Sequence, residues 1–315
     1  MGEKTGIEFA DKTWNPWQGC NKVSPGCDNC YMYREKIRYG QEPDVVVRSK
    51  PPTFNAPLKW TEPEIVFTAS WSDWFIREAD DWRAEAWDII RRTPHLFYLI
   101  FTKRPQNIPD RLPSDWGSGY PNVMLVVTTE NQEEADRRIP KILRIPAAYR
   151  GISAEPLLGP IDLEPHLWPQ CIATKEEHDR DHDHGLWCDE RSLDWVVAGG
   201  ESGPGARPCH PGWVRSLRDQ CVAAGVPFFF KQWGEWIGGK FDCRKSKMVC
   251  QPTLDDINAE RVGRIFWTNP GEPKVHLWDE ADHYWTNASA RVGKKDAGRL
   301  LDGREWSEFP EGVKR

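Results

Sequence analysis

A chain of 315 residues, 39% of them hydrophobic, is long enough to bury one large core or two small ones. Its formal net charge of -6 excludes a chain drawn onto nucleic acid or an anionic membrane by bulk charge alone. Nine cysteines, an odd number, exclude a disulfide framework that pairs every cysteine within the chain.

The N-terminal "MGEKTGIEFADK" lacks the apolar stretch of a secretory signal. The longest apolar runs, "HLFYLIF" and "VPFFF", are too short to cross a bilayer. The expectation is a soluble cytoplasmic protein with no membrane partner. In that compartment clustered cysteines more often bind metal or do chemistry than form bridges. The mean hydropathy of -0.68 is low, but 18 tryptophans and 26 prolines offset it with large buried area and stiff loops.

In chain order, a first strand is expected near residues 7–10. Three cysteines follow, Cys20, Cys27 and Cys30, spaced C-x6-C-x2-C, and a helix is expected to begin near Cys30. Short apolar runs then recur: "EIVFTAS" (64–70), "HLFYLIFT" (95–102), "NVMLVVTT" (122–129), "YRGISAE" (149–155), "DWVVAGG" (194–200) and "VPFFFKQ" (226–232). They are continuous rather than alternating, as strands buried on both faces are, and such strands are usually parallel.

Helical patterns lie between several of them. Residues 77–93 put Trp82, Ala86, Ile89 and Ile90 on one face. Asn131 is an N-cap candidate. Residues 211–225 carry Trp213, Leu217, Cys221 and Ala224, and end at a glycine. Repeated strand–helix units imply right-handed crossovers and a parallel sheet. The predicted fold is α/β, a full or partial parallel (β/α) TIM-type barrel over residues 1–237, with an open doubly wound sheet as the alternative. Residues 165–191 read as an insertion. Residues 238–315 read as an irregular extension packing on the barrel, either folding over its mouth or adding a small β element.

In a parallel barrel the chemistry gathers where strands end. The residues after each run are polar: Ser70, Ser72 and Asp73; Thr102, Lys103 and Arg104; Thr128, Thr129, Glu130 and Asn131; Ser153 and Glu155; Gly199, Gly200, Glu201 and Ser202; Lys231, Gln232 and Trp233. Together they predict a polar pocket. "GGESG" (199–203) adds glycines that let backbone approach a ligand and N–H groups suited to an anion.

A closed structural zinc site usually takes four ligands, and the local cysteines number three. Three thiolates suit an iron–sulfur cluster with one open iron, where S-adenosylmethionine (SAM) can chelate. A zinc site with a distant fourth ligand and free buried thiols are the other readings. A second cluster, Cys171, His178, His182, His184 and Cys188, holds zinc-type ligands, but its spacing is not a standard finger; two cysteines with two histidines, such as His182 and His184, would close a site. Cys243 and Cys250 form a further pair, and a solvated charged loop is the bland reading of the histidines. The C-terminal "GKKDAGRLLDGREWSEFP" has a basic amphipathic look, with Arg291, Lys294, Lys295, Arg299 and Arg304 facing phosphate or solvent.

"WNPWQGCNKVSPGCDNCY", "SWSDWF", "FTKRPQ", "ISAEPLLGPI", "DWVVAGGESGPGARP", "FFFKQWGEW" and "RVGKKDAGRLLDGREWSEFP" follow in order, from about residue 5 to 311. Together they resemble a phage-associated, three-cysteine protein family regarded as radical-SAM-like. The resemblance implies a TIM-type barrel, a 4Fe–4S cluster on Cys20, Cys27 and Cys30, SAM, an electron donor, a protein partner encoded nearby, and nucleic acid repair or modification. The usual radical-SAM signature is C-x3-C-x2-C, so the first gap here is three residues longer, and Asn29 stands where an aromatic is common. By strand order Ser72 and Asp73, not Gly199–Glu201, match the position that holds the methionine amine. Thr129, Glu130, Ser153, Glu155, Gly199 and Gly200 complete the expected cofactor-binding set. Glu130 and Glu155 would meet ribose hydroxyls or the SAM amine. Lys103 and Lys231 would meet a carboxylate or phosphate, and Lys103, Lys231 and Glu201 are the expected catalytic charges.

Overall fold

The structure, a computed structural model, describes residues 5–167, 192–242, 247–250, 265–267, 275–277 and 285–313. Seven strands form one sheet: β1 (Lys12–Trp14), β2 (Ile65–Thr68), β3 (Phe97–Thr102), β4 (Val123–Thr128), β5 (Tyr149–Ala154), β6 (Trp195–Gly199) and β7 (Phe228–Gln232). Each pairs in parallel with the next in sequence. The spatial order never reverses, so the switch point of a doubly wound sheet does not occur. The sheet curls into a half-barrel, the partial form of the predicted barrel.

The continuous apolar runs divide with period two between two cores. Val66, Tyr98, Ile100, Leu125, Val127, Val196 and Phe230 face the helices. Leu99, Met124, Val126, Trp195, Val197 and Phe229 face the hollow of the curl. Four helices matter for the site: α1 (Tyr31–Arg38), α2 (Asp80–Arg92), α3 (Gln132–Leu143) and α4 (Pro211–Ala224). Asn131 caps α3, its side-chain oxygen accepting from the Glu134 N–H at 3.0 Å. Gly225 ends α4 at φ +69°, a left-handed conformation that glycine adopts without strain. In α2, Ala86, Ile89 and Ile90 are buried as expected, but Trp87 is buried where Trp82 is only partly covered. Trp87 lies against Trp74 and Trp116 and donates to the Arg111 carbonyl at 3.0 Å, so the buried stripe sits one position round.

The first strand is at Lys12–Trp14, not at residues 7–10. Those residues turn instead, with the Ala10 N–H donating to the Ile7 carbonyl. The reason is Phe9, whose ring plugs the hollow against Phe67, Phe101, Trp195 and Phe229 at centroid distances of 5.4, 5.4, 5.9 and 6.0 Å. A half-barrel leaves β7 with an open edge, and open edges invite foreign strands. The C-terminal segment covers it: Phe229 bridges Ser307 antiparallel, and the Phe230 N–H donates to the Trp306 carbonyl at 3.0 Å.

The extension begins with a five-stranded antiparallel sheet. Its strands are β8 (Trp236–Asp242), β9 (Lys247–Cys250), β10 (Ile265–Trp267), β11 (Val275–Leu277) and β12 (Trp285–Arg291), ordered β10-β9-β8-β12-β11. Beyond it only Lys294–Ala297 is helical, so the basic C-terminal stretch is not one amphipathic helix. Arg299 lies over Phe229 and Arg304 over Trp306, so the guanidinium groups of both cover rings. No helix among the described residues is long and apolar enough to cross a membrane. The cluster Cys171, His178, His182, His184 and Cys188 lies outside the described residues, as does Cys243, and the Cys250 side chain is likewise not described.

Candidate functional site

A cavity of about 890 Å³ opens at the C-terminal ends of the strands. Its wall includes all three clustered cysteines, with Ser72, Asp73, Lys103, Ser153, Glu155, Gly200, Glu201 and Lys231. Thr129, Glu130 and Gly199 do not line it, although all three lie at strand ends. The aromatic plug Phe9, with Phe67 and Phe101, forms an apolar part of the wall.

The cysteine loop is built in two halves, and each half is tied to different strands. Cys20 belongs to the β2 and β3 side. The Gly19 N–H donates to the Trp71 carbonyl (2.9 Å), and the Ser72 hydroxyl donates to the Gly19 carbonyl (2.6 Å). Gly19 has φ +104°, and a Cβ there would lie 2.3 Å from the Val45 carbonyl oxygen, so only glycine fits. Asp73 is the hub of this side. It accepts from Phe75 N–H, Thr102 hydroxyl, Lys103 N–H and Arg104 guanidinium at 2.9, 2.7, 2.8 and 3.1 Å. Arg104, 7% exposed, extends to the loop itself: Nη1 is 3.5 Å from Cys20 Sγ and Nη2 donates to the Asn21 carbonyl at 2.6 Å.

Cys27 and Cys30 belong to the β4 and β6 side. "SPGC" forms one 3-10 turn, in which the Cys27 N–H donates to the Ser24 carbonyl (2.9 Å), and Cys30 stands at the N-terminus of α1. The Gly26 N–H donates to Glu130 Oε1 at 3.0 Å, and a Cβ at Gly26 would press on that carboxylate. Asn29 donates to Glu201 Oε2 and to the Gly205 carbonyl, both at 2.9 Å. Arg207 closes the latch, donating to both Glu201 oxygens (2.6 and 2.9 Å) and to the Pro25 carbonyl (2.9 Å). Asn29 therefore has a positive reason to be there: it is the link between the C-x2-C turn and β6.

These contacts define which predicted residues are already committed. Glu130 is fully buried and paired with the equally buried Arg138 at 2.9 Å. Its carboxyl is held below the usual carboxylate range: burial pushes it up, and Arg138 and the loop donors outweigh that. Glu201 is also held low, because the hydrogen bonds of Arg207 and Asn29 outweigh its burial. Burial pushes the Cys20 thiol up to about 12, against the pull of Arg104.

The groups that face open space are fewer. Lys231 Nζ pairs with Glu155 Oε1 at 2.6 Å on the cavity wall. It gets there through an irregularity in the sheet: Ala198 pairs Phe230 and Gly199 pairs Gln232, so Lys231 is the extra residue of a bulge. Lys103 lines the cavity, and its ammonium has no ion-pair partner within 4.0 Å among the described residues. Gly200 serves the protein backbone, since a Cβ there would sit 2.0 Å from the Trp233 carbonyl oxygen, whereas one at Gly199 would only reach ordinary contact with the Glu155 side chain.

Arg138, Arg207 and the bond from Arg104 to Cys20 were not predicted as parts of the site. Arg138 had a signal: it lies on the buried stripe of α3 with Ala135, Ile139 and Ile142, and a buried arginine needs a carboxylate. Among the described residues no group of three or more His, Cys, Asp and Glu is arranged to hold a single metal ion. The three thiols share a cavity wall instead. Thiols are the donor type that iron–sulfur clusters take.

The chain belongs to the family described as "Protein of unknown function (DUF5131)", which matches residues 4–310. No curated protein and no solved structure matches it.

Proposed function

We propose that this protein is a radical-SAM-like enzyme whose barrel is of the radical-SAM kind. Cys20, Cys27 and Cys30 would hold a 4Fe–4S cluster, with SAM bound in the cavity beside it. When bound, the cluster and SAM supply reductive sulfonium cleavage and radical chemistry on the substrate. The observation that carries this reading is the meeting of three partly exposed thiols and the polar strand ends on one cavity wall.

The chain's own residues then have distinct tasks. Glu130, Glu201, Asn29 and Arg207 hold the cysteine loop. Asp73 and Ser72 hold its Cys20 end. Lys103 offers its charge to a carboxylate or phosphate of a ligand. The Glu155–Lys231 pair offers one acceptor and one cation to a polar ligand, and Phe9, Phe67 and Phe101 keep that part of the cavity dry. The substrate class proposed is a nucleic acid or nucleotide undergoing repair or modification, with an external electron donor.

Anaerobic purification and reconstitution test this reading. The expected result is a brown protein with about four irons per chain that converts SAM to 5′-deoxyadenosine under reducing conditions. Cys27→Ala is expected to abolish the cluster. A colourless zinc protein that takes up no iron anaerobically sinks the reading and supports a non-catalytic metal site.

A further inference from the structure

The three cysteines are not equivalent. Among the described residues, Cys20 is the one of the three with a charged donor at its sulfur: Arg104 Nη1, at 3.5 Å. The guanidinium is fixed rather than mobile. It is 7% exposed, its Nη1 also meets Asp73 Oδ2 at 3.1 Å, and its Nη2 donates to the Asn21 carbonyl at 2.6 Å. Asp73 is in turn fixed by Phe75, Thr102 and Lys103. Asp73 and the Asn21 carbonyl thus aim one planar fork at one sulfur, a task a lysine cannot perform with a single ammonium.

We propose that Arg104 is a positioning residue that sets the redox potential of the centre through Cys20. This rests on the reading above. A hydrogen bond and a positive charge at a ligating sulfur stabilise the more negative, reduced form, and so raise the potential. The charge acts in a buried place, where screening by water is weak. Asp73 holds the fork and offsets part of its charge, so the pair delivers a direction more than a bare charge.

The test is a reductive titration of reconstituted protein followed by electron paramagnetic resonance, with iron content measured on the same samples. Arg104→Gln is expected to keep the wild-type iron content. Its ratio of reduced to oxidised centre at a fixed poise should fall about tenfold, equivalent to about 59 mV for one electron. Arg104→Lys should shift the same way by less. A Gln variant with full iron and the wild-type midpoint overturns the proposal. Should the Gln variant lose iron, the Lys variant decides it, and a wild-type midpoint there overturns it as well. Wild-type protein that binds no iron overturns both this proposal and the enzyme reading. Full iron with an unmoved midpoint overturns this proposal alone.

Discussion

Glu130→Ala removes the carboxylate that joins the fold to the cysteine loop. Glu130 and Arg138 are 0% and 1% exposed at the side chain, and their atoms are 2.9 Å apart. Breaking a buried pair by removing one partner costs about 3–5 kcal/mol, because the other charge stays buried. Arg138 keeps Glu134 at 2.8 Å, which argues for the lower end, about 3 kcal/mol. The lost acceptor of the Gly26 N–H adds about 1 kcal/mol. At roughly 2–4 °C per kcal/mol for domains of some 150–250 residues, Tm should fall by about 8 °C or more. Calorimetry or circular dichroism reads this directly. The double variant Glu130→Ala/Arg138→Met should recover part of the loss, since it removes the buried guanidinium while Glu134 keeps Arg137 as a partner. The pH dependence has a definite sign. The Glu130 carboxyl is depressed below its ordinary 4.5 in the folded protein. Its contribution is therefore present above 4.5 and is lost as pH falls through the depressed folded value. The gap between wild type and Glu130→Gln should close on acidification below that point. A Glu130→Ala protein within about 2 °C of wild type at neutral pH, or a double variant no better than the single, refutes the reasoning.

Phe9→Ala empties the plug of the half-barrel, where the ring is 1% exposed, and should cost about 3–5 kcal/mol in denaturant unfolding; a loss below about 1 kcal/mol would show that the hollow collapses around the gap. Gly200→Ala places a Cβ 2.0 Å from the Trp233 carbonyl oxygen, so the β6 and β7 ends must separate; a soluble variant with native near-ultraviolet dichroism contradicts this. Lys103→Met should change Tm by no more than about 1–2 °C, because the ammonium has no ion-pair partner within 4.0 Å among the described residues and acts on Glu130 only at longer range, yet weaken binding of an anionic ligand about tenfold or more. Equal SAM and substrate affinities in that variant would remove Lys103 from the site.

The half-barrel was legible because burial on both faces leaves nothing else for runs such as "NVMLVVTT" to be. All six residues of β4 are buried. The strand ends were legible for the same reason, since Lys103 and Glu155 follow directly on such a run, Asp73 comes shortly after one and Lys231 closes another. Three things were not. Phe9 looks like a strand residue by hydrophobicity, and only the curl of the sheet shows that a ring is needed in the hollow. The roles of Glu130 and Glu201 depend on Arg138 and Arg207, which are eight and six residues away in sequence but meet them through a helix and a loop. No spacing rule distinguishes a strand-end carboxylate that faces a ligand from one that grips a loop. The glycines of "GGESG" carry the same ambiguity, and at Gly200 close approach of the Trp233 backbone resolves it.

The six-residue gap between Cys20 and Cys27 follows from where the loop is held. The Cys20 end is tied through Gly19 to Trp71 and Ser72, and through its own sulfur to Arg104, at the ends of β2 and β3. Gly26 and Asn29 are tied to Glu130 and Glu201 at the ends of β4 and β6. The loop therefore crosses the mouth of the half-barrel instead of hanging from one strand. A gap of three residues reaches at most about 3.5 Å per residue, and the "SPG" turn consumes three residues without advancing. The longer gap is what lets both halves be anchored at once. Each anchor is a buried or half-buried polar group that is stable only while the strands keep their spacing. Loss of order at a strand end and loss of the three-thiol arrangement are then coupled, and a destabilised strand end such as that of Glu130→Ala should disturb the cysteines before it unfolds the barrel.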